Sequence, residues 1–142
     1  MYQFCHNYQI TGHLVQVEHF MCNLPSNHLA HNSRVGGAQF AVVRRGVCKF
    51  AVKVETAVKA GFDGVVILDD QNNTEVKRIS GARTSLTENV PVVFLLRKEA
   101  TILAKLLAES PNRTATIQGK GDNTIIAAIA FTSFTAFHSV NT

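Results

Sequence analysis

The 142-residue chain is poor in the residues that mark specialised proteins. Three cysteines are too few for a disulfide miniprotein. Three prolines and nine glycines exclude a collagen-like chain, and 17% charged against 46% apolar residues excludes a disordered tail or a coiled coil. The 14 Lys and Arg give a net charge of +4 but are scattered, in pairs at most, so no polybasic arm exists. The nine Phe read as core residues, and no basic–aromatic stripe points to nucleic acid. Residues 1–20 carry neither a charged n-region nor an apolar h-region and do not read as a secretory signal. The apolar stretch 125–137 (IIAAIAFTSFTAF) is shorter than the ~20 residues a spanning helix needs. It reads as a final strand plus tail, with the stump of a membrane segment as the alternative.

Catalytic frames are missing as well. GxSxG, the P-loop, GxGxxG and HExxH do not occur, and Gly119-Lys-Gly121 is too short to cradle a phosphate. Six histidines stand at His6, His13, His19, His28, His31 and His138. His28-x-x-His31 has a metal-like spacing, but the further ligands of a zinc frame are not there, so no metal or cofactor is expected.

What is present alternates between two periods. Residues 40–43 (FAVV) are continuously apolar and stop at Arg44-Arg45-Gly46, as a buried strand does. Residues 49–60 predict a helix, with Phe50, Val54, Ala57 and Val58 inward and Lys53, Glu55 and Lys59 toward water. Glu55 and Lys59 form a favourable i,i+4 pair, and Gly61 suits the left-handed residue that ends a helix. Residues 65–68 (VVIL) predict a second strand, parallel to the first because a helix crosses between them. Residues 69–89 are polar and read as a long loop. A strand at 90–95, with Pro91 tolerated near its start, precedes a helix at 99–109 with Ile102, Leu103, Leu106 and Leu107 inward. A strand at 114–117 follows. Before residue 40 only 15–17 suggests a strand, and 25–37 reads as loop.

The run FAVVRRGVCKFAVKVETAVKAGFDGVVILDD resembles the protease-associated (PA) domain family. The resemblance rests on Arg45, Gly46, Cys48, Phe50, Lys53, Ala60, Gly61, Gly64 and Val65, and downstream on Pro91 in ENVPVVFLLRKEATILAKLL. It implies an α/β (α+β) fold, a small β-sheet or open barrel flanked by two main helices. The expected organisation is a PA-like domain at 14–118, an N-terminal extension at 1–13 and a C-terminal strand and tail at 119–142. The segments at residues 65–75 and 90–103 are most similar to the PA domain of ER degradation-enhancing mannosidase-like proteins.

The resemblance also implies a non-catalytic module that binds a protein or peptide in the secretory or endomembrane lumen, or gates a neighbouring domain. The alternative is an accessory fragment of a larger enzyme: a mannosidase, a protease or a transmembrane RING ubiquitin ligase. A membrane is involved only if a spanning segment follows the chain. A nucleotide-binding α/β domain is the third alternative, but the phosphate-binding glycines are missing.

By the same resemblance, Cys22 and Cys48 are expected to form a disulfide that closes a long loop and adds about 3.5 kcal/mol by chain entropy. The other possibility is three reduced thiols. Paired, they leave Cys5 over, free or bonded outside the chain. Sequons at Asn72 and Asn112 fall in expected loops. Asp69 and Asp70 stand at the C-terminal end of a parallel strand, where open α/β sheets bind ligands. They are the candidate contacts for a peptide main chain or amine, and Arg45 for a carboxylate. The competing readings are a solvated turn for the acids and a surface charge for the arginine. An exposed sheet edge and the loops 69–89 and 22–37 complete the expected binding surface.

Overall fold

A computed structural model describes residues 8–17, 20–23, 37–69, 90–120, 124–131 and 134–141. The elements are β1 (Tyr8–Gln16), β2 (Ala38–Arg44), α1 (Phe50–Lys59), β3 (Gly64–Leu68), β4 (Val92–Leu95), α2 (Arg97–Glu109), β5 (Thr114–Lys120), β6 (Thr124–Phe131) and β7 (Phe134–Asn141). They form one sheet in the order β4-β3-β2-β1-β5-β6-β7. β1 through β4 are mutually parallel; β5, β6 and β7 are added antiparallel. The five strands β4-β3-β2-β1-β5 with two helices are an α+β half-barrel. The sheet curls so far that β4 and β7, its two edges, approach within 8 Å at their Cα atoms.

The central strands are apolar without alternation because both faces are covered. On one face α1 packs Phe50, Val54 and Ala57 over Ala41, Val43, Val65, Ile67 and Phe94. On the other, α2 packs Ala100, Leu103 and Leu107 over Phe40, Val42, Val66, Val93 and Leu95. Phe40 is fully buried because Gly12 and Gly64 flank it. A Cβ at Gly64 would lie 2.8 Å from its ring, and one at Gly12 would lie 3.0 Å from it. α1 ends as expected. Gly61 takes φ +97°, its N–H reaches Val58 O, the Phe62 N–H reaches Ala57 O, and the Phe62 ring is buried. Glu55 and Lys59 pair at 2.9 Å.

Several expectations are corrected. Lys53 does not face water; it is fully buried. Ile102 is exposed and Leu106 only half-buried, because the inward stripe of α2 is Ala100, Leu103 and Leu107. The strand after Pro91 begins at Val92, and Pro91 serves only as an acceptor, for the Val65 N–H. β1 extends back to Tyr8, through residue 14, because β5 pairs along it from Tyr8 to His13. The stretch after 124 is two strands rather than one strand and a tail: Phe131 pairs with Phe134, and the ladder runs back to Thr124 opposite Asn141. Among the described residues no helix is long and apolar enough to cross a membrane. All but Asp69 of the loop expected at 69–89, and all but Gly37 of that expected at 25–37, lie outside the described residues.

Candidate functional site

The site is built where the parallel strands end. β2 stops at Arg44 and the chain turns sharply through Arg45, Gly46, Val47 and Cys48 into α1. Gly46 has φ +113° and Val47 φ +73°, and the Cys48 N–H donates to Gly46 O at 2.9 Å. That is a γ-turn centred on Val47, of the rare, strained hand. A β-branched residue at positive φ is disfavoured, so the surroundings must hold it there.

Three ties do so, and all involve the segment 20–23. Cys22 and Cys48 are joined by a disulfide across 26 positions. Lys53, one turn into α1, sends its buried ammonium to Phe20 O and Gly46 O, both at 2.7 Å. Met21, at φ +57°, is buried in the cluster under α1. The Phe20 ring carries the Lys53 ammonium 5.2 Å from its centroid and the Arg44 guanidinium at 5.6 Å. Burial lowers the Lys53 pKa from 10.5 to about 8, since the charged form has lost its water.

Arg45 and Asp69 meet each other. Arg45 Nη1 donates to Asp69 Oδ1 at 3.1 Å, and the Asp69 carboxylate is fully buried. Main-chain bonds align the pair: Arg45 N–H to Leu68 O and Asp69 N–H to Leu95 O, each 2.9 Å. The guanidinium also lies 5.8 Å from the Phe50 centroid. The pair is thus a strut that fixes the turn to the ends of β3 and β4.

With its polar groups turned inward, the turn presents an apolar tip. Val47 is 80% exposed, with Arg44 exposed beside it. A hollow of about 240 Å³ follows the strand ends, bordered by Gln16, Arg44, Leu68, Asp69 and Arg97. Val47 offers an apolar contact and Arg44 an exposed charge at this end of the sheet. Residues 10–103 match the PA domain family.

The chain belongs to the PA domain family. Its fold is similar to the aminopeptidase from Aneurinibacillus sp. strain AM-1, with TM-score 0.62 and 23% identity over 96% of this chain and 29% of that one. It is also similar to BSAP, a zinc aminopeptidase from Bacillus subtilis, with TM-score 0.51 and 17% identity over 84% of this chain and 27% of that one. The PA domain therefore spans less than a third of either protein. Among curated proteins no relative matches by sequence.

Other residues singled out in the sequence lie apart from the turn of this PA domain. Asn112 is exposed between α2 and β5, and His13 is half-buried on β1. Asp70, Asn72, Cys5, His6, His19, His28 and His31 lie outside the described residues. Phe20 and Val47 carry no signal in the sequence that would mark them as parts of the site. The family's helix Lys was the one available signal, and it pointed to Lys53.

Proposed function

We propose that this PA domain is a non-catalytic module that binds a protein or peptide partner with the Val47 turn. One observation carries the reading. Among the described residues, the most exposed large apolar side chain is held in a strained turn by a disulfide, a buried ammonium and a buried ion pair. Strain retained at such cost marks a surface kept for contact. Arg44 beside it suits an acidic or C-terminal carboxylate on the partner. Asp69 acts through Arg45 as a positioning residue, and Asp70 is a further proposed polar contact for the partner.

The disulfide supports an oxidising compartment, so the module works secreted or in the endomembrane lumen. Asn72 and Asn112 are its proposed glycan acceptors. The likeness to aminopeptidase PA domains supports a role as the accessory part of a larger enzyme. Within the family, the mannosidase-like proteins of ER degradation are the proposed nearest kin.

The test is capture of secreted proteins by the immobilised chain and by Val47→Asp. A partner held by the wild type and lost to the variant is expected. Equal capture by both, or hydrolysis of aminoacyl anilides or mannosides by the purified chain, overturns the reading.

A further inference from the structure

We propose that β7 is a strap that closes the sheet: its outer edge pairs with the open edge of β4 in an antiparallel ladder and so withholds that edge from any added strand. No residue of the Val47 turn is involved, so the strap and the partner-binding reading stand or fall separately.

The open edge of β4 follows from its bonds to β3. Val65 N–H donates to Pro91 O at 3.0 Å and Asp69 N–H to Leu95 O at 2.9 Å, with Val65 opposite Val92 and Ile67 opposite Phe94. A parallel ladder then directs the odd-numbered residues of β4 to β3. The N–H and C=O groups of Val92 and Phe94 point the other way, where no strand is hydrogen-bonded to β4. An edge strand ordinarily leaves such groups to water or covers them. Here Val92 is 1% exposed and Phe94 0%. Their edge groups are therefore out of water and without a ladder partner among the described residues. Buried main-chain polar groups are nearly always paired.

β7 presents the complement. Phe131 and Phe134 face each other across a two-residue connection. At that separation the pair must exchange its own hydrogen bonds, because the alternative pattern would need a bond between adjacent residues. Alternation from Phe134 joins the even-numbered residues of β7 to β6. It turns the N–H and C=O of Thr135, Phe137 and Ser139 to the outer edge. Direction agrees as well. β4 is parallel to β1, and the antiparallel steps from β1 through β5 and β6 leave β7 running opposite to β4. In an antiparallel ladder the residues that exchange both bonds are spaced two apart, as Val92 and Phe94 are.

Distance selects the occupant. β4 and β7 lie within 8 Å at their Cα atoms. Hydrogen-bonded opposite residues of an antiparallel pair stand about 5.5 Å apart, so closure is a small movement. A separate polypeptide strand inserted between them would need two strand spacings, about 9.5 Å. The gap is too narrow for that, and β7 is the strand already beside it. A partner strand reaches Val92 and Phe94 only by displacing β7.

Through-hydrogen-bond N–C′ scalar couplings, measured by NMR on the full, uniformly isotope-labelled chain, test the closure directly. Couplings are expected between Val92 and Phe94 and odd-numbered residues of β7, in both directions. They are expected to vanish in a sample that mixes nitrogen-labelled with carbon-labelled chains, since both strands belong to one molecule. Amide exchange is followed in Thr135→Pro, Phe137→Pro and Ser139→Pro, each of which removes one outward N–H and spares the β6 ladder. At least one is expected to speed exchange at Val92 or Phe94 by about tenfold or more while Val93 and Leu95 keep their protection. If a proline variant misfolds, the wild-type couplings decide alone. Absence of couplings to β7, or their persistence in the mixed sample, overturns the proposal and leaves the proposed function of the Val47 turn standing.

Discussion

The two faces of the sheet are built on different principles. Under α2 the described core residues are apolar: Phe40, Val42, Val66, Leu103 and Leu107 are buried in one hydrophobic cluster. The face under α1 has a comparable apolar floor but also buries Lys53 and Gln39, and Arg45 and Asp69 pair at its edge. Non-directional burial stabilises a fold without fixing a loop, whereas hydrogen bonds and ion pairs are directional. The α2 face therefore secures the sheet, and the α1 face sets the position of the Val47 turn.

That contrast is sharpest in mutation. Phe40→Ala on the α2 side leaves a void between Gly12 and Gly64 and is expected to cost about 4 kcal/mol in urea unfolding. A loss below 1 kcal/mol would mean that this face is not the main source of stability. On the α1 side, Cys22→Ser with Cys48→Ser is expected to cost about 3.5 kcal/mol. Amide exchange is expected to quicken around Val47 while β3 keeps its protection.

Lys53 distinguishes the faces by pH. Its folded pKa of about 8 lies below the ordinary 10.5, so between those values the unfolded chain holds a proton that the native state has released. Stability contributed by this group therefore rises with pH across that window, by at most about 1.4 kcal/mol per pH unit. The wild type minus Lys53→Met difference in unfolding free energy, followed from pH 7 to 10.5, is expected to climb. A flat difference would show that the two carbonyls fully compensate the ammonium's burial.

The smallest effect runs the other way. Val47→Gly relieves the positive φ and is expected to stabilise the chain by about 1 kcal/mol in thermal unfolding while weakening partner capture. A destabilised glycine variant would show that Val47 serves the fold rather than a contact.

The amino-acid order by itself determined the parallel unit of β2, α1 and β3, because local signals agree there. Doubly buried strands are continuously apolar, α1 carries an inward stripe, and Gly61 provides the closing left-handed residue. The ordered Arg-Gly-x-Cys-x-Phe residues also made the family and the Cys22–Cys48 bridge legible. Tertiary structure alone decided the remainder. β1 is masked by Gly12, His13 and Gln16, which look unlike a core strand until β2 and β5 flank it. The β6–β7 turn carries no Gly or Asn signal at Thr132-Ser133. A lysine reads as solvent-facing until two carbonyls from separate loops converge on it, and an Arg–Asp pair 24 positions apart reads as two ligand contacts until the strand register seats one on the other. Helical period and apolar runs act within a few residues. The partners of Lys53, Arg45 and Gln39 come from strands and loops that meet only after the sheet has formed.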